Sequence, residues 1–99
     1  MLALTAKFKA AEGKEKELVQ LLSEVQTKVR QNEPDTLMYD LHHKIDDPTK
    51  VFLYERYKDR EACEITHRSA PYIKELIAVL PNYLEGATEV TQYETIELK

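Results

Sequence analysis

A chain of 99 residues that is 42% hydrophobic and 32% charged is expected to form one small folded domain, residues 1–99, rather than a disordered segment. The net charge of −4 comes from intermixed lysines and glutamates without a basic stripe, which argues against nucleic acid or an anionic membrane as a partner. No run approaches the ~18 apolar residues of a membrane span, and a single cysteine cannot form a disulfide within the chain, so a reducing cytoplasm is expected.

The first third of the chain predicts a strand followed by a helix. Apolar and polar residues alternate in MLALTAKFKA, which is typical of a half-buried strand. From about Gly13 to about Asn32, leucines and valines recur at helical spacing among glutamates, lysines and glutamines. Pro34 should end this helix, because the residue before a proline is disfavoured in the helical conformation.

The middle of the chain predicts an antiparallel hairpin. Two extended runs, LMYDLHH and VFLYERY, flank a polar break at Asp46, Asp47 and Pro48. The second run places large apolar groups on both faces, with Leu53 on one and Phe52 on the other. An antiparallel sheet with one solvated face should not have this pattern. We therefore expect the second face to pack on another copy of the chain in a homodimer of facing sheets.

The remaining elements complete a β α β β α β order. Asp59 is a plausible N-cap for a short helix through Cys63, and Ser69 should cap a second helix with Pro71 in its first turn. The segment TEVTQYETIEL, which ends at Leu98, predicts a last strand. The order indicates an α+β fold of the ferredoxin-like type, with an antiparallel sheet and its helices on one face.

Several of these segments together resemble a known family. They are the run from Pro34 through Tyr39 to Asp47, the strand FLYERYKD, and His67 followed by Ser-Ala-Pro-Tyr. They are similar to the antibiotic-biosynthesis monooxygenase domain family of dimeric α/β barrels. Its members include cofactor-independent quinol monooxygenases, enzymes that process a quorum-sensing signal, and haem-degrading enzymes. Many members carry a second histidine five residues after the first, where this chain has Tyr72.

Two residues are candidate catalytic groups. His67 is the leading one, because an imidazole is a natural acceptor for a phenolic proton, and the resemblance points to the same residue. The alternative is a histidine that caps a helix end or lies in solvent. Glu55 shares a strand face with Leu53, where a buried carboxylate needs a partner, and it could orient His67. The alternative is a structural ion pair, for example with Arg56 or Arg60.

Three further residues are candidates for substrate binding. Tyr39 and Tyr72 could line a pocket for an aromatic ring and hydrogen-bond a substrate oxygen, although a tyrosine at a sheet–helix boundary is more often a core residue. His43 shares the strand face of Tyr39 and could reach the rim of the pocket, while adjacent His42 points the other way. Cys63 is expected to pack in the core, because it lacks the positive surroundings of a reactive thiolate.

No motif in the chain predicts a metal or an organic cofactor. The single cysteine cannot form a cysteine-based zinc site, and two glycines do not form a phosphate loop. The haem-degrading relatives rely on a tryptophan and on a histidine in the last helix, but this chain has no tryptophan and IKELIAVL has no histidine.

The sequence therefore favours a cofactor-independent monooxygenase that oxidises a small aromatic quinol or polyketide-like substrate, with O2 as co-substrate. One alternative is an enzyme that isomerises or degrades a small oxygenated signal molecule with the same histidine. The other is a non-catalytic dimeric module that binds an apolar ligand.

Overall fold

The computed structural model describes residues 1–97 and arranges them as a four-stranded sheet with two α-helices. The elements are β1 (Leu2–Lys9), α1 (Glu15–Asn32), β2 (Thr36–Lys44), β3 (Asp47–Tyr57), α2 (Pro71–Val79) and β4 (Glu89–Glu94). A π-helical segment, Ala62–His67, precedes α2, and a short 3-10 turn, Leu80–Asn82, follows it.

The sheet has the strand order β2-β3-β1-β4, and every pair of neighbours is antiparallel. Strand β3 lies between β1 and β2, so the β1-α1-β2 unit is split by the strand that follows it in the chain. This is the ferredoxin-like arrangement, and it confirms the predicted α+β fold class. Glu55 is paired with Leu4 on one side and with Tyr39 on the other, so it lies in the middle of the sheet.

One face of the sheet forms the core with the helices. Helix α1 follows a turn at Gly13, whose φ of 76° suits a residue without a Cβ. It buries one apolar stripe, as its spacing predicts, and it ends at Asn32, two residues before Pro34. The buried core side chains include Leu4, Phe8, Leu18, Leu22, Val25, Val29, Val51, Leu53, Tyr57, Ile73 and Leu76.

The opposite face of the sheet carries a different set of side chains, and its contact with the helices includes an ion pair at one edge, between Arg30 of α1 and Asp40. Phe52 and Tyr54 lie on it half-buried, while Met38 and Tyr93 are 37% and 51% exposed. The ring of His42 lies 5.2 Å from that of Phe52. Large apolar groups therefore do occupy both faces of β3, as its sequence indicates.

Two helix starts show how well capping can be predicted. Asp59 Oδ1 accepts a hydrogen bond from the backbone N–H of Ala62 at 2.8 Å, which fits its predicted capping role. The prediction for Ser69 was wrong, because the N-cap of α2 is Ala70 and the Ser69 hydroxyl faces the carbonyl of Thr66 instead. Pro71 sets this boundary, since its fixed φ and missing N–H suit the first residue of a helix.

Two strand boundaries also differ from the prediction. Asp47 and Pro48 belong to β3 rather than to the hairpin turn, which is shortened to Ile45 and Asp46. Strand β4 ends at Glu94, before the end of its alternating pattern. The predicted end of that pattern, Leu98, lies outside the described residues. None of the helices within residues 1–97 has the length and apolar character needed to cross a bilayer.

Candidate active site

A cavity of about 540 Å³ lies between the sheet and the segment that runs from the π-helical turn through α2. This volume lies within the usual range for small-molecule sites. Its walls are mainly apolar, and Ile77 and Val90 are both exposed where it opens between α2 and β4. The lining includes Leu4, Ala6, Phe8, Tyr39, Leu53, Glu55, Cys63, His67, Arg68, Ile73, Leu76 and Leu80.

His67 ends the π-helical segment and forms part of the cavity wall. It is only 7% exposed. The rings of Tyr39 and Tyr57 each lie 5.4 Å from its imidazole, one tilted and one edge-on. The imidazole is packed beside both aromatic rings, so it is not a solvated histidine at a helix end.

Glu33 holds the other side of the imidazole. Its Oε1 lies 2.8 Å from His67 Nδ1, and Glu33 is 4% exposed. A carboxylate can only accept hydrogen bonds, so Nδ1 carries the proton. In a neutral imidazole with this tautomer Nε2 is the acceptor nitrogen, and it lies on the side of Glu55. The arrangement suits a general base that acts on a ligand in the cavity.

The Glu33 carboxylate has two further donors. Thr36 Oγ1 donates to Oε1 at 2.7 Å, and the Tyr72 hydroxyl donates to Oε2. Burial raises the pKa of Glu33, but the hydrogen bonds from His67, Tyr72 and Thr36 outweigh it and bring the pKa below its ordinary value. Glu33 is therefore ionised at neutral pH, while burial and the Glu33 bond raise the pKa of Tyr72.

The pKa of Glu55 is shifted in the opposite direction from that of Glu33. Glu55 Oε1 lies 4.0 Å from His67 Nε2. It is 5% exposed, and Oε1 accepts the hydroxyl of Tyr57. Burial raises the pKa of Glu55, and the Tyr57 bond and the nearby His67 offset that rise only in part. Two buried carboxyl groups thus flank one imidazole with pKa values displaced in opposite directions, which is typical of sites that separate acid and base roles.

The structure brings together three of the five predicted site residues. His67, Glu55 and Tyr39 all line the cavity, and burial raises the pKa of Tyr39 so that its phenol stays neutral. The predicted role of Glu55 as the group that orients His67 is taken by Glu33, because 4.0 Å is too long for a hydrogen bond.

The two other predicted binding residues lie elsewhere. Tyr72 lies behind Glu33, where it lines an outer groove with Pro71 and Glu75 instead of the cavity. His43 is exposed near the hairpin end of β2, and it lines two outer grooves of the sheet. Neither residue contacts the space that His67 faces.

Sequence reasoning missed Glu33 and Tyr57. Glu33 follows the last residue of α1, and a carboxylate is unfavourable at the negative end of a helix unless it has a partner. That misplaced charge is the signal that could have indicated a buried cation or donor nearby. Tyr57 lies two residues after Glu55 on the same strand face, so the alternation of β3 does place its hydroxyl within reach.

The chemistry of the remaining candidates is limited. Burial raises the pKa of the Cys63 thiol to about 11, which suits the predicted packing role. Within residues 1–97, no group of three or more histidine, cysteine, aspartate or glutamate side chains is arranged to hold a metal ion.

Comparison with known proteins adds a family relationship. The family model for antibiotic biosynthesis monooxygenase matches residues 1–79, which include Glu33, Glu55 and His67. No curated protein matches the chain.

Solved structures show the same fold over nearly the whole chain. Rv0793 from Mycobacterium tuberculosis is 27% identical, with a TM-score of 0.88 and coverage of 98% of this chain and 96% of that one. Protein SO0527 from Shewanella oneidensis is 26% identical, with a TM-score of 0.86 and coverage of 93% and 87%. A structure named antibiotic biosynthesis monooxygenase is 25% identical, with a TM-score of 0.87 and coverage of 98% and 100%.

Proposed function

Because the chain belongs to the antibiotic biosynthesis monooxygenase family, we propose that it oxidises a small aromatic quinol or polyketide-like phenol with O2 and without a bound cofactor. One observation carries this proposal. His67 is buried in the wall of an apolar cavity, and Glu33 holds its Nδ1 at 2.8 Å so that Nε2 is left to accept a proton. An apolar cavity with one positioned base suits a ligand that is mostly ring and has an ionisable hydroxyl group.

The proposed reaction begins with transfer of the phenolic proton to His67 Nε2. The phenolate then gives one electron to O2, and the ring radical and superoxide recombine to form a carbon–oxygen bond. The imidazolium returns its proton to the peroxide. Loss of the proton from the same ring carbon breaks the O–O bond, and the departing hydroxide leaves as water. One oxygen atom stays on the ring as a quinone carbonyl, so atoms and electrons balance.

The apolar walls contribute by excluding water. A phenolate in a poorly solvated site is a stronger electron donor than one in water, and the ring and O2 are held close together. Exclusion of water also strengthens the interaction between the phenolate and the imidazolium. The residues that supply this environment are those of the cavity itself, including Leu53, Ile73 and Leu76.

We also propose that the working form is a homodimer in the cytoplasm. The open face of the sheet, with Phe52, Tyr54, Met38 and Tyr93, is the part of the surface best suited to pack against a second copy. The single buried thiol of Cys63 is compatible with a reducing compartment.

A second candidate function is isomerisation of a small oxygenated carbonyl compound. It is favoured by the 4.0 Å separation between His67 Nε2 and Glu55 Oε1, because a base and a weak acid side by side can move a proton within one substrate. This reaction consumes no O2, whereas the monooxygenase reaction does.

Oxygen uptake with a panel of hydroquinones and phenolic polyketide mimics tests the proposal. The protein should consume O2 and form quinone, and His67→Ala should lower the rate on the order of 100-fold or more while circular dichroism stays unchanged. Glu61→Ala is the control, because it truncates an exposed side chain that does not line the cavity. Full oxygen uptake in a folded His67→Ala protein would exclude His67 as the base. Binding without turnover in both proteins would favour the ligand-binding alternative.

A further inference from the structure

The two carboxyl groups beside His67 differ in their access to positive charge. Glu33 makes the 2.8 Å contact with Nδ1, so it is the partner of any imidazolium that forms. Among the described residues, Glu55 has no lysine or arginine within ion-pair distance, and its contact with Nε2 is 4.0 Å. One imidazolium cannot neutralise two buried carboxylates, and a second uncompensated charge in an apolar wall is costly.

The surroundings of Glu55 favour its neutral form on balance, because burial outweighs the groups that favour the carboxylate. The facing groups within the described part of the chain are mostly neutral or negative: Tyr57 on its own strand, Tyr39 on β2, His67 and Cys63 on the π-helical segment, and at longer range Glu33 and the exposed Arg68. Burial raises the pKa of Glu55 and Glu33 adds to that rise, while the Tyr57 hydrogen bond, His67 and Arg68 offset it only in part.

The geometry also allows Glu55 and His67 to share one ligand atom. Both side chains line the cavity, with Nε2 and Oε1 4.0 Å apart. An oxygen atom placed between them can lie at a normal hydrogen-bond distance of about 2.8 Å from each. Tyr57 already donates to Oε1, but a protonated carboxyl oxygen can accept that bond and still donate its own proton. A proton on this carboxyl group is therefore free to point to the ligand.

We propose that Glu55 is a neutral carboxylic acid in the working site and that it donates a hydrogen bond to the substrate oxygen from which His67 takes a proton. The phenolic proton goes to Nε2, and the resulting oxyanion accepts the Glu55 O–H. No bond to Glu55 is formed or broken. The nature of the ligand rests on the proposed function, but the protonation state of Glu55 does not.

Infrared spectroscopy of the full chain tests the protonation state without any substrate. At neutral pH the spectrum should contain the C=O stretching band of a protonated carboxyl group, and Glu55→Gln should remove it. Glu61→Gln, which changes an exposed glutamate, should leave the band in place. Absence of the band at neutral pH, or its persistence in Glu55→Gln, overturns the proposal.

Binding of 4-nitrophenol tests the donor role, because its anion is yellow and its neutral form is not. The bound probe should be the anion. Glu55→Gln keeps an N–H donor and should bind it within several-fold of the original protein, while Glu55→Met, of similar size without a donor, should lose at least tenfold. Equal binding by the methionine variant, or no binding by the original protein, overturns the donor role. Neither readout uses O2, so failure of the oxygen-uptake assay remains a separate result.

Discussion

Replacement of Glu33 should be among the most damaging single changes in the chain, although Glu33 lies outside the cavity. Its carboxylate accepts hydrogen bonds from His67, Thr36 and Tyr72. Glu33→Ala would remove both acceptor oxygens and with them all three hydrogen bonds, and it would leave the Nδ1–H of a buried imidazole without a partner. Each buried donor left unsatisfied costs about 1–3 kcal/mol, so the loss of three hydrogen bonds should cost at least about 3 kcal/mol. That is a large part of the 5–15 kcal/mol by which small domains are stable.

A graded series separates the effect of charge from that of shape. Glu33→Gln keeps a carbonyl oxygen for the Nδ1–H, but it loses the charge and puts an amide NH2 where an oxygen accepts the Tyr72 hydroxyl, so it should cost about 1–2 kcal/mol. Tyr72→Phe should cost about 1 kcal/mol in the original protein and much less in the Glu33→Ala background, because its acceptor is already missing. This difference is the coupling energy of the pair.

Urea denaturation followed by circular dichroism measures these free energies of unfolding. The midpoint should shift while the slope with denaturant stays the same, which indicates a change in stability rather than in compactness. Glu61→Ala is the matched control, since it truncates an exposed glutamate and should stay within about 0.5 kcal/mol of the original protein. If Glu33→Ala unfolds together with that control, the carboxylate does not hold His67 and the reasoning fails.

Three other variants test separate parts of the structure. Burial raises the pKa of Glu55, so the folded state binds this proton more tightly than the unfolded state. The free energy of unfolding should therefore fall as pH rises above the ordinary carboxyl range, by at most about 1.4 kcal/mol per pH unit. Denaturation measured at a series of pH values should show this decline, and Glu55→Gln should abolish it. Phe52→Asp places a charge on the open sheet face and should convert a dimer into monomers in light scattering; a monomer before the change would refute the dimer. Leu53→Ala leaves a void under the cavity floor and should cost about 2–5 kcal/mol, and a loss below 1 kcal/mol in thermal unfolding would mean that Leu53 is not tightly packed.

Much of the fold could be predicted because its determinants are local. Alternation in β1 and β3, and the position of Pro34 after α1, determine element type and boundary within a few residues. The prediction for Ser69 failed because two local signals competed one residue apart. A serine before Ala-Pro looks like an N-cap, but Pro71 occupies the first helical position and leaves Ala70 as the cap.

The site was predictable only where a strand face determines it. Glu55 and Tyr39 are opposite each other in adjacent strands, so shared alternation places both near the same cavity. The hydrogen bond between Glu33 and His67 joins residues 34 positions apart. The periodicity of a helix or strand relates only residues of the same element, so it cannot predict such a pair. The position of Tyr72 beside Glu33 could not be predicted for the same reason, because the rotation of α2 that turns it toward Glu33 depends on how the helix packs.

The π-helical segment makes the site sensitive to chain length as well as to residue type. The backbone N–H of Arg68 reaches back five residues to the carbonyl of Cys63, so the segment contains one residue more than an ordinary helical turn would need. An α-helix turns by about 100° per residue. Deletion of one residue between Cys63 and His67 would let the turn tighten and would rotate the imidazole away from Glu33 and the cavity. Such a deletion would keep every site residue in the sequence but would separate His67 from Glu33. The number of residues between Asp59 and His67 is therefore as informative as the residue types when such sequences are compared.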